Sequence, residues 1–430
     1  MTVTDDRLNA TYIIESPIGI RRAAELLAGE QSIGSFGRVG GESDEIIEKF
    51  GARVESVEIL GHTERPTLLS AIPQLPEGAL YHRGKVVISF PVHNFGQNLP
   101  ALAVVLLGNL FELQELTGIR LEDIHFPKDF ERKFQPPAFG ITGTRKLIDV
   151  LEGPIIGTIV KPKLGLGAAA TAALVTELGM AGIHFIKDDE CMTDPPHAPL
   201  ADRVRKIAPA LDKLADRLGH KVMYAFNITD EPEQMRRNHD LVLANGGTCV
   251  MISLNACGFA AAAGLRRYSQ LPIHGHRAGW GMLTRHPMLG MSFIAYLKLW
   301  RLAGIDQMHI GGLQSKFWEV DESVSASARA CLEHFGSFPP IMPVLSSGQW
   351  GGQAAKTYQQ IGCDDVIYLA GGGILAHPGG PAAGVRAVAK AWEAATRSIP
   401  LEEYAKSNPE LRQSIEMFGH LRAERGQVHD

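Results

Sequence analysis

Between residues 155 and 372, eight short apolar runs alternate with longer stretches of helical character: IIGTIVK (155–161), IHFIK (183–187), VMYAFNI (222–228), TCVMIS (248–253), PIHGH (272–276), QMHIG (307–311), IMPVLS (341–346) and VIYLAGG (366–372). Each gap can hold a helix, so every strand can run parallel to the one before and the sheet can close as a (β/α)8 barrel. An open doubly wound sheet is the competing arrangement.

Residues 1–138 read differently. Short β-like runs (54–60, 85–92) mix with helical stretches (17–31, 99–113), which predicts a smaller N-terminal α+β domain. The segment 129–143, with Pro-Pro, glycines and charge, is the expected junction, leaving 139–430 for the barrel domain and its C-terminal helices. The 430 residues carry 42 Lys and Arg against 47 Asp and Glu, a net charge of −5 with no basic stripe, which argues against nucleic acid or an anionic membrane as partner. Five scattered cysteines form no metal-binding spacing and suggest a reducing compartment. With no leader-like N-terminus and no run of eighteen apolar residues, a cytoplasmic protein is expected.

Barrels of this type place chemistry at the C-terminal ends of their strands. Here those ends carry Lys161 and Lys163, then Lys187 with Asp189 and Glu190, then Asn227, His276 with Arg277, His309, Ser346, and the run Gly371, Gly372, Gly373. In FIKDDE (185–190) the alternation of an extended backbone turns Lys187 and Asp189 to the barrel mouth and Asp188 away. Two carboxylates there suit a hard cation such as Mg2+. An ammonium would repel that ion, whereas Lys187 converted by CO2 to a carbamate would become a third anionic ligand. The bland reading of the same tetrapeptide is an ion-paired strand end. In KPKLGLG (161–167), a lysine crowded by cations can lose its proton and act as a general base, although solvated surface lysines are the common case. The glycine triplet, paired with SSGQ (346–349), suggests a phosphate cradle, with a tight turn as its alternative. Arg277 and His309 suit a second anion, and Lys316 a lid over the substrate. His184, His274 and His377 are read as ordinary core or supporting histidines.

The ordered set GTIVKPKLGLG, HFIKDDE, HGHRAG, HIGG, SKF, PVLSSG and LAGGG resembles the large subunit of ribulose-1,5-bisphosphate carboxylase, RuBisCO. The resemblance extends into the N-terminal domain through GEQSIGSF (29–36), GNLFEL (108–113) and RLEDIHFP (120–127). It implies that Lys187 is carbamylated by CO2 and binds Mg2+ with Asp189 and Glu190. Lys161 then matches the enolising base, Lys163 its neighbour and His276 an active-site histidine. Arg277 and His309 match residues holding the distal phosphate, and Ser346, Gly348, Gly371 and Gly372 the other anion pocket and sugar-hydroxyl contacts. Glu30, Ser35 and Asn109 match residues that reach a partner's barrel, which implies a homodimer or an oligomer of dimers.

The departures lie at substrate contacts. Ile159 stands where the carboxylases carry Thr, Phe36 replaces a Trp, Trp280 a His, and Ser347-Gly348 a Gly-Gly, while the lid reads GGLQSKF. This pattern is similar to that of RuBisCO-like proteins of the form IV type, with metal and enolising machinery kept and the substrate changed. The function it implies is formation of an enolate from a phosphorylated keto sugar acid with carbon–carbon chemistry, by decarboxylation or transcarboxylation with hydrolysis, on a substrate of the 3-oxo-isoapionate 4-phosphate type. Three alternatives stand beside it. One is enolisation or isomerisation of a methylthio ketose phosphate, as in methionine salvage, with Phe36, Ile159 and Trp280 forming an apolar slot. The others are a non-catalytic binding protein and a true ribulose-1,5-bisphosphate carboxylase.

Overall fold

The computed structural model describes residues 6–34, 41–69, 75 and 78–426. Its strands in chain order are β1 (Arg7–Ser16), β2 (Arg53–Thr63), β3 (Tyr81–Pro91), β4 (Gly118–His125), β5 (Ile155–Ile159), β6 (Phe185–Lys187), β7 (Met223–Asn227), β8 (Cys249–Ser253), β9 (Ile273–His276), β10 (Leu289–Met291), β11 (Gln307–Gly311), β12 (Met342–Leu345) and β13 (Ile367–Leu369). The chain divides into two compact units, one of Met1–Pro136 with Gly279–Ala303 and Phe335–Ser337, the other of the remaining residues.

The first unit is built on a five-stranded sheet in the order β10-β4-β1-β3-β2. Strand β1 buries the apolar Leu8, Ala10, Tyr12 and Ile14 on one face and pairs antiparallel with β3 (Arg7 opposite Pro91) and with β4. The helix Ile20–Glu30 buries Ile20, Ala23, Ala24 and Leu27, an i, i+3, i+4, i+7 stripe. Burying Ile20 and Leu27 in this way stabilises by about 1.5–3 kcal/mol each. The sequence assigns Gly279–Ala303 to the barrel domain, yet the structure groups this segment with the first unit. The reason is physical: β10 adds a parallel edge to β4 (Leu289 opposite Ile119), and the helix Phe293–Leu302 is apolar on most sides, burying Phe293, Tyr296, Leu299 and Trp300.

In the second unit β5, β6, β7, β8, β9, β11, β12 and β13 close a parallel barrel, so all eight expected runs contain strands. Ile155, Phe185, Met223, Ala225, Cys249, Met251, Met342, Val344, Ile367 and Leu369 fill its interior. Ile148, at the end of the helix Gly140–Ile148, joins this core, and the buried Asp306, just before β11, accepts from the backbone N–H groups of Phe139 and Gly140. The barrel is therefore plugged at the N-terminal ends of its strands, and the polar strand ends gather at the other face. A cavity of about 320 Å³ lined by Phe139, Ile141, Pro339 and Pro340 lies at the plugged end, away from those residues. No helix among the described residues is long and apolar enough to cross a membrane.

Candidate active site

Lys187 closes β6, in register between Ile159 of β5 and Ala225 of β7. Its side chain is fully buried, with Nζ donating to the Asp188 carbonyl at 2.7 Å and lying 3.4 Å from Met251 Sδ. Burial pulls its pKa down to about 8 against the attraction of Glu190 and Asp189. The neutral amine, the form that reacts with CO2, is thus accessible close to neutral pH.

The next residue turns the other way. Asp188 accepts from Arg203 Nη2 at 3.1 Å, the Tyr224 hydroxyl at 2.6 Å and the Asn227 N–H at 3.0 Å, all inside the barrel wall. Asn227 in turn donates through Nδ2 to the carbonyls of Asp189 (3.1 Å) and Glu190 (3.2 Å). The backbone bearing the two outward carboxylates is held by a residue that the sequence offers only as a strand end.

Asp189 and Glu190 meet the two lysines of the first strand end. Lys161 Nζ lies 2.5 Å from Asp189 Oδ2, and Lys163 Nζ lies 3.0 Å from Glu190 Oε1 and 3.9 Å from Asp189 Oδ1. The Glu190 hydrogen bond raises the pKa of Lys163. Burial opposes ionisation of Glu190, but the hydrogen bonds it accepts from the backbone and from Lys163, with the charge of Lys187 nearby, outweigh it and hold the carboxyl below the usual range; His276 Nε2 lies 3.8 Å from it. Among the described residues, ligand atoms of Asp189, Glu190 and Cys191 lie within 4.8 Å of one another. Burial and the adjacent Asp189 push the Cys191 thiol up, so it stays protonated and offers a hard cation little. The remaining donors are carboxylate oxygens already drawing positive charge from two lysines, a donor set that fits Mg2+.

Three histidines pack beside this cluster. The His276 and His309 rings are 4.5 Å apart, and those of His274 and His309 5.0 Å. Burial, reinforced by neighbouring cations, drives His276 and His309 well down and His274 to about 3, so all three imidazoles are neutral at physiological pH. His274 Nδ1 faces Gln307 Oε1 at 2.9 Å, and His309 Nδ1 faces Ser346 Oγ at 3.1 Å. His276 Nδ1, His309 Nε2 and His274 Nε2 are buried without a partner. His274 thus joins the cluster, while His184 accepts from the Ile156 N–H and His377 meets the Glu410 carbonyl, in the supporting roles expected.

Arg277, also buried, is gripped by the Glu319 carboxylate through both terminal nitrogens. Beyond β12, Ser347 takes a φ of 76°, the region that favours glycine, next to Gly348 at 80°. Gly371 and Gly372 open the short helix Gly371–Leu375. A Cβ on Gly371 would lie 3.4 Å from Ile159 Cδ1 and 3.9 Å from Lys161 Cε, whereas one on Gly372 would meet nothing within 4 Å. Lys316 is exposed; its backbone N–H donates to the Ser347 carbonyl at 3.2 Å, and its ammonium sits 5.4 Å over the Phe317 ring.

In the first unit, Asn109 Nδ2 donates to Glu30 Oε1 at 3.4 Å, so these two expected residues are neighbours. Ser35 and Phe36 lie outside the described residues. Trp280 is buried against Phe293 (5.5 Å) and Tyr296 (4.6 Å), so its ring serves the first unit's core.

Comparison with known proteins matches the N-terminal domain of the ribulose bisphosphate carboxylase large chain to residues 2–130 and its catalytic domain to residues 140–418. A 3-oxo-isoapionate-4-phosphate transcarboxylase/hydrolase of Xanthobacter autotrophicus is 49% identical over 95% of this chain and 99% of its own. A 3-oxo-isoapionate-4-phosphate decarboxylase of Rhizobium etli is 45% identical over 96% and 98%. A rubisco-like protein from Burkholderia fungorum has a crystal structure that superposes with a TM-score of 0.89 at 44% identity, covering 96% of this chain and all of that one.

Proposed function

Because the chain belongs to the ribulose bisphosphate carboxylase large-chain family, we propose that it takes a proton from a phosphorylated keto sugar acid and then breaks or transfers a carbon–carbon bonded carboxylate. The substrate class is that of the relatives named for 3-oxo-isoapionate 4-phosphate. One observation carries the reading: Lys161 Nζ meets Asp189 at 2.5 Å, beside Glu190 and the buried Lys187. Asp189, Glu190 and a carbamate on Lys187 would hold Mg2+, which when bound supplies a positive charge that polarises the substrate carbonyl.

The chain's own residues do the rest. Lys161 Nζ, once it has left Asp189 and lost its own proton to solvent, accepts the proton from the carbon next to the carbonyl. Lys163 keeps its proton and stays an electrostatic neighbour. His276 and His309, neutral, each present an unpartnered ring nitrogen for a substrate hydroxyl or anion. Arg277 and His309 suit one anionic group, and Ser346, Gly348, Gly371 and Gly372 the other anion pocket and sugar-hydroxyl contacts. Glu30, Ser35 and Asn109 are assigned to completion of a second subunit's site in a homodimer or an oligomer of dimers.

A second reading, enolisation without carbon–carbon chemistry, is favoured by the exposed position of Lys316 over Phe317. Incubation of 3-oxo-isoapionate 4-phosphate with protein, Mg2+ and bicarbonate in D2O, following CO2 release and deuterium uptake together, separates the readings. Release with exchange is expected, and exchange alone would favour enolisation. Full activity in EDTA, or in Lys187→Ala, would overturn the metal assignment.

A further inference from the structure

Arg277 is the cation assigned above to a substrate anion, and it already has an anion. Glu319 engages it in a two-pronged contact, Nη1 to Oε1 at 3.3 Å and Nη2 to Oε2 closer still, with the side chains only 9% and 4% exposed. A guanidinium so deeply buried needs an anionic partner at all times, because an uncompensated buried charge is strongly destabilising. A phosphate monoester carries more charge than a carboxylate and presents three oxygens to the same fork. The two cannot both occupy that edge of Arg277.

Glu319 is also placed so that its departure has consequences. It ends the segment Gly312–Glu319, three residues after Lys316, within a stretch where Gln314, Lys316, Phe317 and Trp318 are exposed. Backbone on the near side is fixed, since a Cβ on Gly312 would fall 2.2 Å from the Ser346 carbonyl oxygen, and Asp321 on the far side accepts from Gln314 N–H and Lys356. Between these anchors the loop is held by the Gln349 amide donating to the Leu313 carbonyl at 3.1 Å, by the Lys316 N–H donating to the Ser347 carbonyl at 3.2 Å, and by the buried Arg277–Glu319 ion pair, whose contact an incoming anion would contest directly.

We propose that Glu319 is a resident competitor for the anion at Arg277: a phosphorylated substrate displaces its carboxylate, and the exchange releases the loop that carries Lys316. Glu319 thereby sets the affinity for the phosphorylated end of the substrate and couples its arrival to movement of Lys316. This rests on the assignment of Arg277 to an anion, so the test must separate the two.

The probe is inorganic phosphate added to the full chain, read by titration calorimetry and by hydrogen–deuterium exchange of residues 312–320. In the wild type, phosphate should bind and speed exchange in that loop, with faster tryptic cleavage after Lys316. Glu319→Gln, which keeps the shape and removes the charge, should bind phosphate about 10-fold tighter and show the fast-exchanging loop without it. Arg277→Gln should abolish the binding and the loop response. If phosphate binds through Arg277 but Glu319→Gln binds no tighter and the wild-type loop does not respond, Glu319 is only a brace and the inference fails alone. If phosphate does not bind, or binds equally in Arg277→Gln, the anion assignment fails and takes the inference with it. Should Glu319→Gln not fold, the wild-type loop response decides.

Discussion

Replacing Asp188 and Asp189 in turn by alanine should have opposite effects, although the residues are adjacent and equally buried. Asp188 neutralises the fully buried Arg203 and accepts from the Tyr224 hydroxyl and the Asn227 N–H. Stripping a buried cation of its partner costs about 3–5 kcal/mol, and an unpaired buried hydroxyl or amide about 1–3 kcal/mol more. The terms are not additive, because Arg203 keeps the carbonyls of Ala198, Met192 and Thr193. A loss of roughly 4–5 kcal/mol is expected, about 10 °C or more in melting temperature for a unit of this size. Asp189, by contrast, is paired with lysines whose side chains are 32% and 51% exposed and can return to water. Asp189→Ala should change stability by no more than about 1 kcal/mol while abolishing turnover. Thermal melts followed by circular dichroism, with exchange mass spectrometry on β6 and β7, make the comparison. A wild-type melt for Asp188→Ala, or a lower melt for Asp189→Ala, would refute the division of labour.

The glycine run offers a second contrast: Gly373→Ala, whose Cβ would sit 2.6 Å from the Gln349 carbonyl oxygen and Trp350, should destabilise by about 1–3 kcal/mol, whereas Gly372→Ala should melt like wild type and lose phosphate affinity. Because the folded Lys187 amine is protonated below about pH 8 and neutral above it, uptake of labelled bicarbonate by Lys187, followed by carbon-13 NMR, should rise as pH climbs through about 8; a flat profile from pH 6 to 9 would count against carbamylation. Mixed Asn109→Ala and Lys161→Ala subunits should regain activity on exchange, since one site per heterodimer is then intact; none, despite proven exchange, would argue against a shared site. Lys316→Ala should keep deuterium exchange but lose most CO2 release, whereas Lys161→Ala should lose both; wild-type turnover in the first would leave Lys316 a solvated loop residue.

All eight barrel strands are legible because a parallel strand buried on both faces must be apolar throughout, and its polar terminus then stands out. Strand alternation likewise distinguishes Asp188 from Asp189 in advance. What the sequence does not reveal are partners that join elements through space. Arg203 lies 15 residues beyond Asp188, and Glu319 lies 42 beyond Arg277, with no periodicity to link them. Strand β10 is three residues long and too short for alternation to register, so the return of Gly279–Ala303 to the first sheet has no signal of its own.

One departure from the carboxylases, Ile159, sits beside the lysine proposed as the base. Ile159 pairs in register with Lys187, and a Cβ on Gly371 would lie 3.4 Å from Ile159 Cδ1 and 3.9 Å from Lys161 Cε. A threonine there would offer a hydroxyl to a polar substrate; isoleucine offers an apolar wall and leaves the Lys161–Asp189 contact untouched. Changing Ile159 should therefore alter which substrate rests against Lys161 Nζ and, if Lys161 is the base as proposed, leave proton abstraction itself in place. On the proposed role of Lys161, one lysine base would serve different keto acids within the family, the choice falling to neighbours that do not handle the proton.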